Sequence, residues 1–131
     1  MLEEVRGFAD GLDTVVGERG VQASFSGHAS AGCLHVRPLL DLKTAQGVGD
    51  LEGIARAVGE LVREYHGSLS GEHGDGLARS WFNPRLFGPE LYAEMVALKD
   101  LFDPDRLLAP GRVVEGPPLT EHLRFGTSYR A

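Results

Sequence analysis

Val21-Gln22-Ala23-Ser24-Phe25-Ser26-Gly27-His28-Ala29-Ser30-Ala31-Gly32-Cys33-Leu34-His35-Val36-Arg37-Pro38-Leu39-Leu40 holds two short runs on either side of four small residues. Val21 to Gly27 reads as one strand and Cys33 to Leu40 as a second, with Ala29-Ser30-Ala31-Gly32 as the hairpin connection. In such a hairpin His28 and His35 are expected to lie opposite each other where the strands enter the turn, with Cα atoms about 4.5 to 5.5 Å apart. Two imidazoles at that separation can share a metal. Cys33 and Arg37 flank His35 at two residues' distance, so both share its face. Cys33 is close enough to reach a metal, but a small buried residue is the favoured reading. Arg37 fits a substrate clamp or a surface charge.

Helices are expected on both sides of this hairpin. Leu2, Val5, Phe8, Ala9, Leu12, Val15 and Val16 recur at three-and-four spacing over residues 2 to 19, which predicts an amphipathic helix ending near Gly17 to Gly20. Beyond the hairpin, Asp50 is the expected N-cap of a second helix. Ile54, Ala57, Val58, Leu61, Val62 and Tyr65 form its apolar face, and it should stop near His66-Gly67. Ser68-Leu69-Ser70 reads as a short strand. Pro84 and Pro89 are expected to flank a loop, followed by a helix from Glu90 to Leu101. Phe102-Asp103-Pro104-Asp105 then reads as a stop and turn. Trp81 and Phe82 suit a core or an interface. The order helix, two strands, helix, short strand, helix and tail predicts an α+β fold with a mainly antiparallel sheet.

Composition narrows the function classes. The 131 residues suit one compact domain, and 42% hydrophobic with 24% charged residues permits a small core. A net charge of -6 argues against nucleic-acid partners. Cys33 is the only cysteine, so an internal disulfide is excluded and a reducing compartment is the simpler expectation. No apolar run is long enough to span a bilayer, and Met1-Leu2-Glu3-Glu4 lacks the pattern of a signal peptide. Neither a GxGxxG turn after a strand nor a Walker loop is present.

Glycine is roughly twice its usual share of about 7%, and several glycines stand beside histidines. The second such segment is Ser70-Gly71-Glu72-His73-Gly74-Asp75-Gly76. With three glycines in six residues, Gly71 to Gly76 must be irregular, and a ligand can approach its backbone closely. Two histidines and one carboxylate make a three-ligand site with room for water or substrate. Such a set suits zinc, iron(II) or manganese. Glu72 and His73 point in opposite directions on an extended chain, so one can ligate while the other acts as a base. Taken singly, His28 and His35 are more often turn or strand residues, and Glu72-His73 an exposed turn. His66 and His122 read as helix-end or solvated residues.

Gly27-His28 through Leu34-His35, then Gly71-Glu72-His73-Gly74 with Gly76, resemble the paired motifs of the FAD-linked oxidase C-terminal domain. That family includes the D-lactate, glycolate and D-2-hydroxyglutarate dehydrogenases. Leu101-Phe102-Asp103-Pro104 to Leu107-Leu108-Ala109-Pro110-Gly111-Arg112 is similar to its closing motif, and the resemblance runs from about residue 20 to residue 115. His28 to Pro38 looks closest to a subgroup fused to a downstream iron–sulfur domain, and the tail Leu119 to Gly126 resembles the connector that leads there. The chain departs from many relatives in having Ala31 and Cys33 where they carry Asp and Asn, and Ala109 where they carry Asn.

The resemblance implies a ferredoxin-like cap or substrate domain over residues 1–115, its sheet incomplete as excised, with a polar connector over 116–131. It implies a divalent metal on His28, His35 and Glu72, with zinc ahead of manganese or iron. It further implies that His73 removes the hydroxyl proton of a 2-hydroxy acid while hydride passes to a flavin. Arg37 would face the substrate, and Gly71, Gly74 and Gly76 would lie against the cofactor. FAD would be held mainly by an upstream domain. The expected setting is the cytoplasm or the inner-membrane periphery, without a transmembrane segment, and the isolated chain is expected to be inactive. The rival readings are a metal-dependent hydrolase and a non-catalytic docking domain.

Overall fold

The computed structural model describes residues 2–130. Its elements are α1 (Leu2–Gly17), β1 (Ala23–His28), β2 (Cys33–Pro38), α2 (Ala45–Glu64), α3 (Gly76–Arg79) and α4 (Asn83–Phe102). A single 3-10 turn over Ala29–Ala31 joins the strands, and another over Ser80–Phe82 precedes α4. The fold is therefore mixed, with α and β elements and one open, two-stranded antiparallel sheet among the described residues. The residues form two compact units: one runs up to Glu72 and regains the chain from Arg124, the other covers His73–Leu123.

In the first unit, α1 and α2 pack along their apolar stripes. Leu12 and Val16 of α1 and Ile54 and Val62 of α2 are buried. Each such burial contributes about 1.5–3 kcal/mol. Close approach depends on Gly7 and Gly11, one turn apart on one face. A methyl at Gly7 would stand 2.7 Å from the Tyr65 hydroxyl, and one at Gly11 would stand 2.9 Å from the Leu61 side chain. Phe8 meets Tyr65 edge to face at 5.6 Å. The C-terminal residues return to this unit, where the Lys43 ammonium lies 5.1 Å from the Tyr129 ring centre.

Helix α2 starts earlier than the sequence pattern suggests. Its N-cap is Thr44, not Asp50: the Thr44 backbone is extended and its hydroxyl accepts from the Gly47 amide at 3.0 Å. The same hydroxyl donates to the Asp41 carbonyl at 2.9 Å. Asp50 lies within the helix and accepts from the Gln46 amide at 3.0 Å. The first turn is glycine-rich and weakly apolar, so periodicity does not reveal it. The helix stops where expected. His66 takes a positive φ of 53° and donates to the Arg63 carbonyl at 3.0 Å, while Gly67 donates to the Val62 carbonyl at 2.8 Å. Together these bonds form a Schellman closure. His66 is thus a helix-end residue. Ser68-Leu69-Ser70 is not a strand, because β1 and β2 pair only with each other among the described residues.

In the second unit, the expected loop between Pro84 and Pro89 is helical. Pro84 sits in the first turn of α4, where no amide is required. Gly88 (φ 78°, ψ 167°) then kinks the helix, and Pro89 opens its second segment. Residues 90 to 101 are helical as expected. Phe82 is buried, and Trp81 meets it edge to face at 5.2 Å. Ser80 and Asn83 are fully buried polar anchors. The Asn83 amide donates to Asp75 at 2.9 Å and to the Val113 carbonyl at 2.8 Å. Ser80 Oγ accepts from the Val113 amide at 2.7 Å. Asp103 caps α4 and accepts from the Leu107 and Leu108 amides at 2.9 Å each. Lys99 pairs with the same carboxylate and holds it below the usual carboxylate range, against the opposing effect of burial. No helix among the described residues is long and apolar enough to cross a membrane.

Candidate metal centre

The hairpin register decides which side chains meet. Ser24 pairs with Arg37, Ser26 with His35 and His28 with Cys33. His28 and His35 are therefore not directly opposed, as the sequence reading expected. The connection has only four residues, with Gly32 at a φ of 66°, so the last pair must be His28 with Cys33. The two histidines are diagonal neighbours on one face, a relation that long side chains still bridge. Their rings stand 5.6 Å apart, edge to face.

Glu72 reaches this face from the loop after α2. Gly71 passes close to Cys33 there: a methyl on it would stand 3.0 Å from Cys33 Sγ. Glu72 Oε1 lies 3.0 Å from His28 Nε2 and 3.3 Å from His35 Nε2. Cys33 Sγ donates to the same oxygen at 3.3 Å. That hydrogen bond is the chief cause pushing the Cys33 thiol above its ordinary pKa; burial and the charge of Glu72 add to it.

One donor atom from each of His28, His35 and Glu72 lies within 4.8 Å of the others, so one small cation could touch all three. Two imidazole nitrogens and a carboxylate oxygen fit a divalent metal with open positions. The His28 side chain is 63% exposed and His35 is 25% exposed, so the centre opens toward solvent on the His28 side. A cleft of about 700 Å³ also reaches His28, Cys33 and Glu72, walled by Phe8, Leu12, Leu34, Val58 and Val62.

Residues 2–113 match the family described as FAD linked oxidases, C-terminal domain. The chain belongs to this family. It is 38% identical over 111 residues to D-2-hydroxyglutarate dehydrogenase of Haemophilus influenzae, covering 85% of this chain and 11% of the relative. It is 45% identical over 94 residues to D-2-hydroxyglutarate dehydrogenase of Pseudomonas putida, covering 72% of this chain and 9% of that protein. Glycolate oxidase subunit GlcD of Escherichia coli is 32% identical over 102 residues, covering 78% and 20% respectively. The chain thus spans about a tenth to a fifth of these relatives. No solved structure matches it. As a member of the FAD-linked oxidase family, it shares ancestry with parts of flavin-linked hydroxy-acid oxidoreductases.

The remaining sequence candidates are not part of the three-donor cluster. Arg37 lies two residues beyond His35 on the same strand and is exposed. His73 is exposed and heads the second unit, where Gly74 and Gly76 both have positive φ and Gly76 opens α3. His122 is exposed beside Glu121. Cys33 lies on the His35 face, where the sequence reading put it, but its contact with Glu72 was not expected. It is half-buried and bonded to Glu72, whereas a small buried residue was expected. Its two-residue offset from His35 was the available signal.

Proposed function

We propose that this chain is the substrate-side portion of a larger flavin-dependent dehydrogenase that oxidises a D-2-hydroxy acid. The observation that carries the reading is the convergence of His28, His35 and Glu72, in a member of the FAD-linked oxidase family. These three residues hold a divalent cation, with zinc ahead of manganese or iron. When bound, the metal supplies the positive charge that lowers the pKa of a substrate hydroxyl, and the flavin supplies a hydride acceptor.

The chain's own residues do the rest. Glu72 and the two imidazoles would hold the cation. His73, joined to Glu72 by one peptide bond, takes the hydroxyl proton on its imidazole, the side chain most often used as a general base. The exposed Arg37 attracts the substrate carboxylate. Gly71, Gly74 and Gly76 would allow a flavin and substrate close backbone approach.

In this reading, residues 1–115 are the last part of a ferredoxin-like cap domain whose sheet is completed by strands from outside the chain. Residues 116–131 connect to an iron–sulfur domain that takes up the electrons. FAD is held by an upstream domain, and the protein works in the cytoplasm or against the inner membrane.

The test uses the full-length flavoprotein under anaerobic conditions. D-2-hydroxyglutarate, D-lactate and glycolate are offered in turn while flavin absorbance is followed. At least one should bleach the flavin. Chelation should abolish the bleaching and zinc or manganese should restore it. His28→Ala and Glu72→Ala should fail to respond. Undiminished bleaching in metal-stripped protein, or in both variants, would overturn the reading.

A further inference from the structure

Cys33 stands within the candidate centre without belonging to its three-donor set. The register makes it, rather than His35, the direct cross-strand partner of His28. It also shares the strand face of His35. Gly71 leaves no side chain on the loop where it passes Cys33 Sγ. The S–H then donates to Oε1, the same oxygen that faces both imidazoles.

A thiol is a weak donor, but an ionised carboxylate acceptor strengthens the bond. Carboxylates that bind metals need such partners, because a flexible glutamate otherwise loses rotamer freedom when it docks on the cation. We propose that Cys33 is a positioning residue for the metal centre: its S–H bond to Glu72 holds the carboxylate in the orientation that receives a divalent cation. The proposal rests on the metal-centre reading above. It assigns the thiol to the outer shell, supporting a ligand rather than acting as one.

The test is zinc affinity in the full-length flavoprotein, read by competition with a chromogenic chelator and independent of turnover. Cys33→Ala should weaken zinc binding by about 10- to 100-fold, the range for loss of an outer-shell partner. Cys33→Ser retains a donor of similar size and should recover affinity to within a few-fold of the native protein. Flavin content and circular dichroism confirm folding of both variants. Zinc-edge X-ray absorption on the native protein adds a measurement that needs no variant. It should show a shell of nitrogen and oxygen alone. A sulfur at about 2.3 Å would make Cys33 a ligand and overturn the positioning role. Native affinity in Cys33→Ala, or a Cys33→Ser protein as weak as Cys33→Ala, would also overturn it. Native protein that binds zinc no better than His28→Ala would overturn the metal centre itself, a separate failure.

Discussion

Glu72 and Asp103 are hydrogen-bonded carboxylates, one in each compact unit, yet their surroundings differ in kind. Asp103 is 6% exposed and faces the Lys99 ammonium and the amides of Leu107 and Leu108. Those donors are permanent, and they end a helix and fix the turn after it. Glu72 is about a third exposed, and its Oε1 faces two imidazoles and a thiol. These groups can act as donors, as acceptors or as metal ligands. A carboxylate ringed by obligatory donors is structural. One near solvent, facing groups with interchangeable roles, is a candidate metal ligand.

The contrast breaks most readily at Glu72. Glu72→Ala should lower zinc affinity by more than about 100-fold, beyond the loss expected for an outer-shell partner. Its unfolding free energy should stay within about 0.5 kcal/mol of the native value, as for an ordinary surface change. Chelator competition and urea unfolding check the two halves. Marked destabilisation would place Glu72 with Asp103 as a structural acid.

The second unit should respond in the opposite way. Asn83→Ala removes both buried hydrogen bonds, to Asp75 and to the Val113 carbonyl. It should cost about 1–3 kcal/mol of stability and leave zinc affinity unchanged. Asp103→Asn sharpens the same point through pH. The folded carboxyl titrates below its ordinary value of 3.8, so its contribution is complete above that pH and is lost as pH falls through the folded value. The variant should melt at a lower temperature than the native protein at pH 7, and the gap should close on acidification below 3.8. A gap independent of pH would remove the charge from the explanation. The smallest effect belongs to the cap of α2. Thr44→Ala should cost about 1 kcal/mol and Thr44→Ser much less, measured by the same unfolding assay. Equal losses in the two variants would deny the capping bond to Gly47.

Much of the architecture was legible in local pattern. The stripes Val5-Phe8-Leu12-Val16 and Ile54-Leu61-Val62 marked α1 and α2, and the four small residues marked the hairpin. The closing turn at Asp103 was also legible. What failed were features governed by one or two bonds. The α2 start depends on the Thr44 hydroxyl, and a glycine-rich first turn hides it. Pro84 and Pro89 suggested a loop, but a first-turn proline and one glycine kink absorb them. Ser68 to Ser70 looked like a strand but has no strand neighbour to pair with.

The sequence by itself marked most of the helical stripes and the hairpin, because side-chain direction within a helix or strand follows local spacing; it assigned His28, His35 and Glu72 as one donor set only through the family resemblance. Only the tertiary structure decided the His28–Cys33 pairing, the diagonal relation of His28 to His35, and the arrival of Glu72 and its hydrogen bond from Cys33. Those depend on how a four-residue turn closes and how a distant loop settles against the hairpin, and a bond between residues remote in the chain leaves no periodic trace.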